Sequence, residues 1–315
     1  MRRANKAIFG LSSTLLVATV LVGSMPAVST AQTEGLVDRL QAATGKVANE
    51  KHLLRYKFNA NEKLYYEVVS QMAVETTVNA NTQKMKSRSK SLKKWEFTDV
   101  DAEGNTTFSH TVDFADMWSE TDGRKKIHYD SRSDDEVPPD YVQMAETIGK
   151  PISIVRANVK GQIIDRKDTI KQLDRGTGGL LLPLPDGPVA LAAEWAVPSS
   201  VTVKMTDGRQ KQIKTRIRYR LEKVESGVAT ISVVTQVLSP VADARVKSQL
   251  LQKLSKGEIK FDVDAGRIIS KILDWDETVV GFNGPASSMS FLSRMTERLV
   301  PAAEVASLKK PGEHK

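Results

Sequence analysis

The sequence predicts an α+β fold that is mostly antiparallel β, built as a strongly twisted sheet or half-barrel wrapped around one or two helices. Three observations lead to this prediction. Long segments alternate apolar and polar residues with a period of two, which is typical of half-buried strands. Turn sequences separate neighbouring segments, which favours hairpins. Few segments show helical spacing.

The strand signals begin at residues 64–78, where alternate positions are mostly apolar. Asn79-Ala80-Asn81 predicts a turn, and residues 84–97 return with the same period. These two segments are therefore expected to form a hairpin. Further strands are predicted at 106–114, 124–129, 152–159, 162–165, 216–224, 228–237, 259–263, 267–280 and from Ser287 onward.

Helical spacing is found at 35–44, 138–149, 168–173 and 239–257. The second of these helices begins at Pro138-Pro139 and ends at Gly149. The last has the clearest start, with Ser239 as N-cap and Pro240 at the first helical position. One face of this helix carries Val246, Leu250 and Leu254.

Residues 1–31 have the three zones of a secretory signal peptide: a positive start, an apolar run, and small residues before Gln32. The alternative is an uncleaved membrane anchor, because residues 7–28 are nearly long enough to span a bilayer. The chain has no cysteine, which excludes an acylated cysteine, disulfides and thiolate metal sites. We therefore expect an exported protein that is periplasmic or secreted.

The mature chain is expected to form a single β-rich domain over 32–300, with a hinge at 175–188 and a flexible tail at 301–315. The net charge is +8, and removal of the three cations of the signal peptide leaves +5. This charge is low for a dedicated nucleic-acid binder, so we expect no nucleic-acid partner. After cleavage, no integral membrane segment is expected.

Two segments place four cations at alternate positions. The first cationic ladder is Lys84, Lys86, Arg88 and Lys90, and the second cationic ladder is Lys214, Arg216, Arg218 and Arg220. Because side chains alternate between the faces of a strand, each ladder forms a row with a spacing of roughly 6.5–7 Å. In the expected hairpin, Glu67 and Glu75 lie opposite the first ladder and provide local counter-charges.

The second ladder has no such counter-charge on its predicted hairpin partner. A three-residue loop at 225–227 sets Leu221 opposite Ile231 and Tyr219 opposite Val233. The same register aligns the arginines with uncharged residues: Arg220 with Ser232, Arg218 with Val234 and Arg216 with Gln236. The functional interpretation is a surface for an anionic lipid, a polysaccharide or an acidic protein of the envelope. The alternative is a solvated face with its counter-charges on the other neighbouring strand.

No motif for catalysis, metal binding or phosphate binding is present, so we expect no catalytic residue, metal or cofactor. The four histidines lack ligand spacing. Asp274 and Asp276 flank Trp275, a pattern that suits sugar chemistry but equally describes an outward strand face. The acidic segment 130–136 lacks the spacing and the central glycine of a calcium loop.

Several short segments together resemble exported bacterial domains of unknown function, of the kind seen in planctomycete-type genomes. The segments are Leu54-Arg55-Tyr56-Lys57-Phe58 with Glu62 and Tyr65-Tyr66, Tyr129-Asp130-Ser131, Leu184-Pro185 with Pro188-Val189 and Trp195, Gly257 with Phe261-Asp262, and Gly266-Arg267-Ile268. The sheet of these domains is similar to that of periplasmic lipoprotein carriers, an antiparallel half-barrel wrapped round helices. The resemblance implies a fold and no activity.

Three functions remain open from the sequence. The first is an exported, non-catalytic envelope protein that binds an amphiphile or an anionic envelope component. The second is a scaffold or interaction protein without a small ligand. The third is a hydrolase whose residues converge only in the fold. An apolar cavity inside the sheet would favour the first, and a cleft joining a histidine with a carboxylate would favour the third.

Overall fold

The structure is a computed structural model that describes residues 50–133, 136–170 and 180–310. The predicted signal peptide and the helix expected at 35–44 lie outside the described residues. The described residues belong to one compact unit, Ala48–Lys315. In this part of the chain, twelve strands form a single antiparallel sheet that is twisted and not closed, which confirms the predicted fold class.

The strands are long at the centre of the sheet and short near one edge. In chain order they are β1 (Lys63–Val78), β2 (Asn81–Val100), β3 (Thr106–Thr121), β4 (Ile127–Asp130), β5 (Pro151–Ala157), β6 (Ile163–Asp168), β7 (Glu194–Lys204), β8 (Gln210–Glu225), β9 (Val228–Val237), β10 (Lys256–Asp262), β11 (Arg267–Val280) and β12 (Ser287–Val300). Their order in the sheet is β6-β5-β3-β2-β1-β12-β11-β10-β9-β8-β7, and β4 pairs with β3. The pairing of β1 with β12 joins the two halves of the sheet.

Three short α-helices lie against the sheet in the described chain: α1 (Val142–Ala145), α2 (Ala244–Leu250) and α3 (Ala302–Leu308). Helix α2 contacts both β7 and β11, although three strands separate them in the sheet. In a flat sheet these two strands would be roughly 19 Å apart, since neighbouring strands are about 4.8 Å apart. The sheet therefore curls around α2, and we call the side that holds this helix the concave face.

The hairpin of β8 and β9 has the predicted register but a different turn. The turn contains two residues, Ser226 and Gly227, with φ values of 50° and 77°. Two left-handed residues form the tight hairpin turn that matches strand twist. A bulge between Leu221 and Lys223 absorbs the residue that the expected three-residue loop would have held. As a result, Leu221 lies opposite Ile231 as predicted.

The helix bounds differ from the prediction in two places. Helix α2 begins five residues after Ser239, because the side chain of Asp243 accepts a hydrogen bond from the backbone N–H of Arg245 and caps the helix there. Its predicted face is correct, since Val246 and Leu250 are buried. The helix expected at 138–149 is a 3₁₀ turn followed by the short α1. Its apolar residues pack as one group against β3 and β4: Tyr141, Met144, Ala145 and Ile148.

Two further segments depart from the expected pattern. Asp168 ends strand β6 rather than beginning a helix, and residues 171–173 of that predicted helix lie outside the described chain. Strand β7 was not predicted, because Pro198 interrupts its alternation. A proline is accepted there because β7 is an edge strand of the sheet.

The C-terminal segment, expected to be a flexible tail, contains helix α3 up to Leu308. Val305 of this helix is buried against Leu92, Phe114 and Val300 on the convex face of the sheet. Residues 311–315 lie outside the described chain.

Residues 180–191, which we call the cover segment, close part of the concave face. Leu181, Leu182 and Leu184 are buried in the main core. The hydroxyl of Tyr56 accepts a hydrogen bond of 2.7 Å from the backbone N–H of Leu182, and this bond holds the segment over the sheet. Of the predicted hinge at 175–188, residues 181–185 are buried or half-buried, residues 186–188 are exposed, and the first five residues lie outside the described chain.

Candidate ligand-binding site on the concave face

A cavity of about 50 Å³ lies between the cover segment and the concave face. When all space free of protein atoms is counted, open solvent included, the same pocket measures about 420 Å³. A buried water needs about 10–15 Å³ on the smaller measure, so the cavity holds a few waters or part of a ligand. The lining residues are Leu181, Leu182, Ile217, Tyr219, Val233, Ser255, Ile259, Ile268, Lys271 and Leu273.

The lining is mostly apolar because the alternate residues of strands β8 to β11 that face the cavity are mostly apolar. Tyr219 of β8 lies opposite Val233 of β9, and Ile259 of β10 lies opposite Lys271 of β11. Seven of the ten lining residues are aliphatic. Lys271 is the only one of the ten with a charged side chain, and it places an ammonium group at the wall of an apolar space.

Lys271 belongs to a buried cluster of three charged side chains on the concave face, which we call the buried trio. Its Nζ lies 2.9 Å from Oε2 of Glu297, the residue directly opposite on β12. Lys93 reaches the same oxygen from β2 at 3.5 Å. The exposed fractions of these side chains are 1% for Glu297, 6% for Lys271 and 15% for Lys93. Two cations therefore share one carboxylate oxygen away from bulk water.

The electrostatics of the trio follow from this sharing. Burial alone raises the pKa of Glu297, but the charges of Lys271 and Lys93 outweigh it and hold that pKa at about 2. Burial lowers the pKa of Lys93, and the nearby ammonium of Lys271 lowers it further, while Glu297 opposes both effects. With both lysines protonated, the trio carries one positive charge in excess.

A second polar group lies next to the trio on the same face. His110 of β3 is directly opposite Ser153 of β5 and Trp95 of β2. His110 Nε2, Ser153 Oγ and Trp95 Nε1 are all buried without a hydrogen-bond partner in the described chain. Burial lowers the pKa of His110 to about 4, and the charge of Lys93 contributes to the shift. The imidazole is therefore neutral at physiological pH.

The first cationic ladder lies on the convex face, and two of its lysines have the counter-charges that the hairpin register predicted. Lys84 forms an ion pair with Glu75 at 3.3 Å, and Lys90 forms one with Glu67 at 2.7 Å. These are the two acids that the sequence identified as local counter-charges. Lys86 lies opposite Glu120, and Arg88 opposite Trp118, on β3. Within the described residues neither Lys86 nor Arg88 forms an ion pair.

The second cationic ladder also lies on the convex face and is only partly neutralised. Arg218 pairs with Glu194 of β7 at 3.3 Å, and Arg220 pairs with Glu222 of its own strand at 2.7 Å. The guanidinium of Arg216 donates a hydrogen bond to the side-chain oxygen of Gln236. In the described part of the chain, Lys214 and Arg216 have no carboxylate within ion-pair distance. Both side chains belong to exposed residues.

The remaining polar patterns of the sequence have structural explanations. Asp274 pairs with Arg294 on the convex face, while Asp276 lies opposite Leu292. His128 lies 2.9 Å from Asp116, beside a group that anchors helix α3. In this group Arg132 binds Asp130 and donates hydrogen bonds to the carbonyl oxygens of Leu308 and Lys310.

Two features are absent from the described residues. They contain no group of three or more histidine or acidic side chains arranged to hold a metal ion. None of their helices combines the length and the apolar character that crossing a membrane requires.

The buried trio was missed by the sequence analysis. The sequence does contain a sign of it. In β11 and β12, Lys271 and Glu297 each occupy a position in the row of alternate residues that is otherwise mostly apolar. A charged residue on the apolar side of a strand requires a buried partner. The two halves of the trio are distant in sequence, so no spacing rule connects Lys93 with the other two.

No protein-family model matches the chain, and no curated protein matches it. Among solved structures, a lipovitellin structure described under lipid–protein interactions aligns with 82% of this chain at 10% identity and a TM-score of 0.40. The matched region spans about a quarter of that chain, 26%. The translocator domain of the autotransporter NalP from Neisseria meningitidis aligns with 85% of this chain and 96% of its own, at 6% identity and a TM-score of 0.25. These values assign the chain to neither family.

Proposed function

We propose that this chain is an exported, non-catalytic binding protein of the cell envelope, which holds an amphiphile between the cover segment and the concave face. The observation that carries the proposal is an apolar cavity whose wall contains one buried ammonium group, that of Lys271. An apolar lining with a few placed polar groups is the usual composition of a small-molecule site. The signal peptide expected at residues 1–31 and the resemblance to carrier-like exported domains agree with this role.

The size of the cavity limits how the ligand binds. Pockets that enclose a whole drug-sized ligand measure about 300–1,000 Å³, far above the 50 Å³ of the cavity itself. We therefore place only one end of the amphiphile inside. The rest of the molecule lies outside this enclosed volume, in the part of the pocket that is open to solvent.

The first test is recovery of the ligand. The chain is produced with its own signal peptide in a bacterial host, purified from the periplasm or medium without detergent, and extracted with organic solvent for mass spectrometry. We expect an amphiphile in near-stoichiometric amount, absent from an unrelated exported protein purified in parallel. Recovery of protein alone contradicts the proposal.

The second test blocks the cavity. Val233 lines the cavity, whereas Val279 lies on the same face of the sheet but outside the lining; their exposed fractions are 6% and 7%. Val233→Phe should abolish co-purification of the ligand, and the matched Val279→Phe should retain it. Equal loss in both variants would indicate a general packing defect.

A second candidate function concerns the convex face. We propose that Lys214 and Arg216 contact an anionic group of the envelope, since neither has a carboxylate partner in the described chain and both are exposed. This contact is compatible with a ligand on the opposite face. Its test closes the Discussion.

A further inference from the structure

We infer that the headgroup of the bound amphiphile is a carboxylate, that Lys271 binds it at the wall of the cavity, and that the ligand is therefore an amphiphilic carboxylic acid. This inference rests on the proposed function and specifies its ligand class. Three observations support it: the position of Lys271, the charge balance of the buried trio, and the size of the cavity.

The position of Lys271 at the cavity wall allows its ammonium group to contact a bound ligand. It is the only charged residue of the lining, and its partner Glu297 is not part of the lining. An ammonium group has three N–H donors. Glu297 is the only carboxylate within ion-pair distance of Lys271 in the described chain, so donors remain for a ligand on the cavity side.

The charge balance calls for a single additional anion. Two ammonium groups share one carboxylate oxygen, at 2.9 and 3.5 Å, in a site with little exposure to solvent. An unbalanced charge in such a site is costly. A carboxylate at Lys271 converts two cations and one anion into two balanced pairs. A neutral headgroup, such as an alcohol, leaves the excess charge in place.

The size of the site and the group already bound there favour a carboxylate over a phosphate. The trio already binds one carboxylate, that of Glu297, through Lys271 and Lys93. A phosphate monoester carries about 1.5–2 negative charges and would overcompensate the single excess charge. A phosphodiester carries a second esterified group, for which a cavity of about 50 Å³ has no room.

The test compares two ligands that differ only in the headgroup. Delipidated mature protein is titrated with dodecanoic acid and with dodecanol by calorimetry, both kept below the concentration at which they aggregate. Wild-type protein should bind the acid about tenfold or more tightly than the alcohol, the effect of one buried charge-assisted hydrogen bond. In Lys271→Met the preference should disappear through weaker binding of the acid, with the alcohol unaffected. The variant retains one lysine and one glutamate, so its buried charges remain balanced.

A second variant changes the preference in the opposite direction. Glu297→Gln leaves two lysines without a carboxylate, and dodecanoic acid should then raise the unfolding temperature of this variant by more than it raises that of wild type. Equal binding of acid and alcohol by wild type, or an unchanged preference in Lys271→Met, overturns the inference and leaves the proposed function intact. Failure of both ligands to bind overturns both.

Discussion

His110 and Ser153 face each other on adjacent strands of the concave face, and each carries a buried polar atom without a hydrogen-bond partner in the described chain. Ser153 has no exposed surface. Desolvated polar atoms of this kind reduce the stability of the fold, because the unfolded chain hydrogen-bonds them to water. Substitutions at both residues therefore test whether these polar atoms are buried without a hydrogen-bond partner.

Replacement of Ser153 by alanine should leave the protein as stable as wild type or stabilise it by up to about 1 kcal/mol, since the buried hydroxyl is removed without loss of a hydrogen bond. The matched control is Ser293, which is also buried but donates a hydrogen bond of 2.8 Å to the carbonyl oxygen of Gln71. Ser293→Ala should cost about 1 kcal/mol. Urea unfolding measures both, and a clear loss in Ser153→Ala would contradict the geometry.

The low pKa of His110 predicts a pH-dependent stability. Its pKa is about 4 in the folded protein and about 6.5 in the unfolded chain. Between these values the unfolded state binds more protons, so stability falls as the pH is lowered from about 6.5 towards 4. The predicted loss is on the order of 3 kcal/mol. Lys93, Glu297 and Arg166 are the charged groups that act on this imidazole.

His110→Gln should reduce the dependence of stability on pH between pH 6.5 and 4, as measured by urea unfolding midpoints across a pH series. In the folded protein Glu297 stays ionised throughout this window, because its folded pKa is about 2. Its protonation in the unfolded chain adds to the slope only near the acid end of the window, around pH 4–5. His128→Gln serves as the control and should keep the slope that His110 produces. An unchanged slope in His110→Gln would show that other groups cause it.

Substitutions in the buried trio should lower the free energy of unfolding by unequal amounts. Glu297→Gln leaves two buried ammonium groups without a carboxylate and should cost about 3–5 kcal/mol of unfolding free energy. Lys271→Met leaves a one-to-one pair with Lys93 and should cost clearly less. Replacement of all three residues by methionine should recover much of the loss, because apolar side chains avoid the desolvation penalty. Thermal and urea unfolding of the three variants in the absence of ligand would test this order.

The regular parts of the fold followed from the sequence because they depend on local patterns. The bounds of β11 match the predicted segment 267–280, and the register of β8 with β9 is as expected. The ion pairs of Lys84 and Lys90 were also correct, since a hairpin register determines which side chains are opposite. These features require only the period of two and the position of a turn.

The candidate site depends on contacts that no local pattern specifies. Lys93 and Glu297 meet across β1 because the first and last strands of the domain pair in the sheet. Residues 175–188 were predicted as a loop because of their glycines and prolines, whereas three leucines of the cover segment, Leu181, Leu182 and Leu184, are buried over the concave face. Tertiary packing determines both, so the sequence predicted the sheet but not the cavity within it.

Helix α3 should detach independently of the sheet. Val305 is its buried apolar residue, with an exposed fraction of 9%, and Arg298 links Glu304 of the helix to Glu67 of β1. Val305→Asp should therefore raise amide hydrogen exchange across 302–308 while exchange in β1 and β12 is unchanged. The exposed Ala306→Asp introduces the same charge in the same helix and should leave exchange near the wild-type rate. Equal effects of both variants would argue against the docking contact.

The unpaired end of the second cationic ladder should contribute more to anion binding than an equal number of charges elsewhere. We expect the mature protein to bind vesicles containing phosphatidylglycerol, with an affinity that falls as salt is raised. The double variant Lys214→Gln with Arg216→Gln should weaken this binding several-fold and reduce its salt dependence. The control, Lys84→Gln with Lys90→Gln, removes the same charge from the first ladder, where Glu75 and Glu67 pair with these lysines, and should have a smaller effect. Equal losses would mean that net charge alone drives the contact, and absence of binding would remove the convex face from consideration.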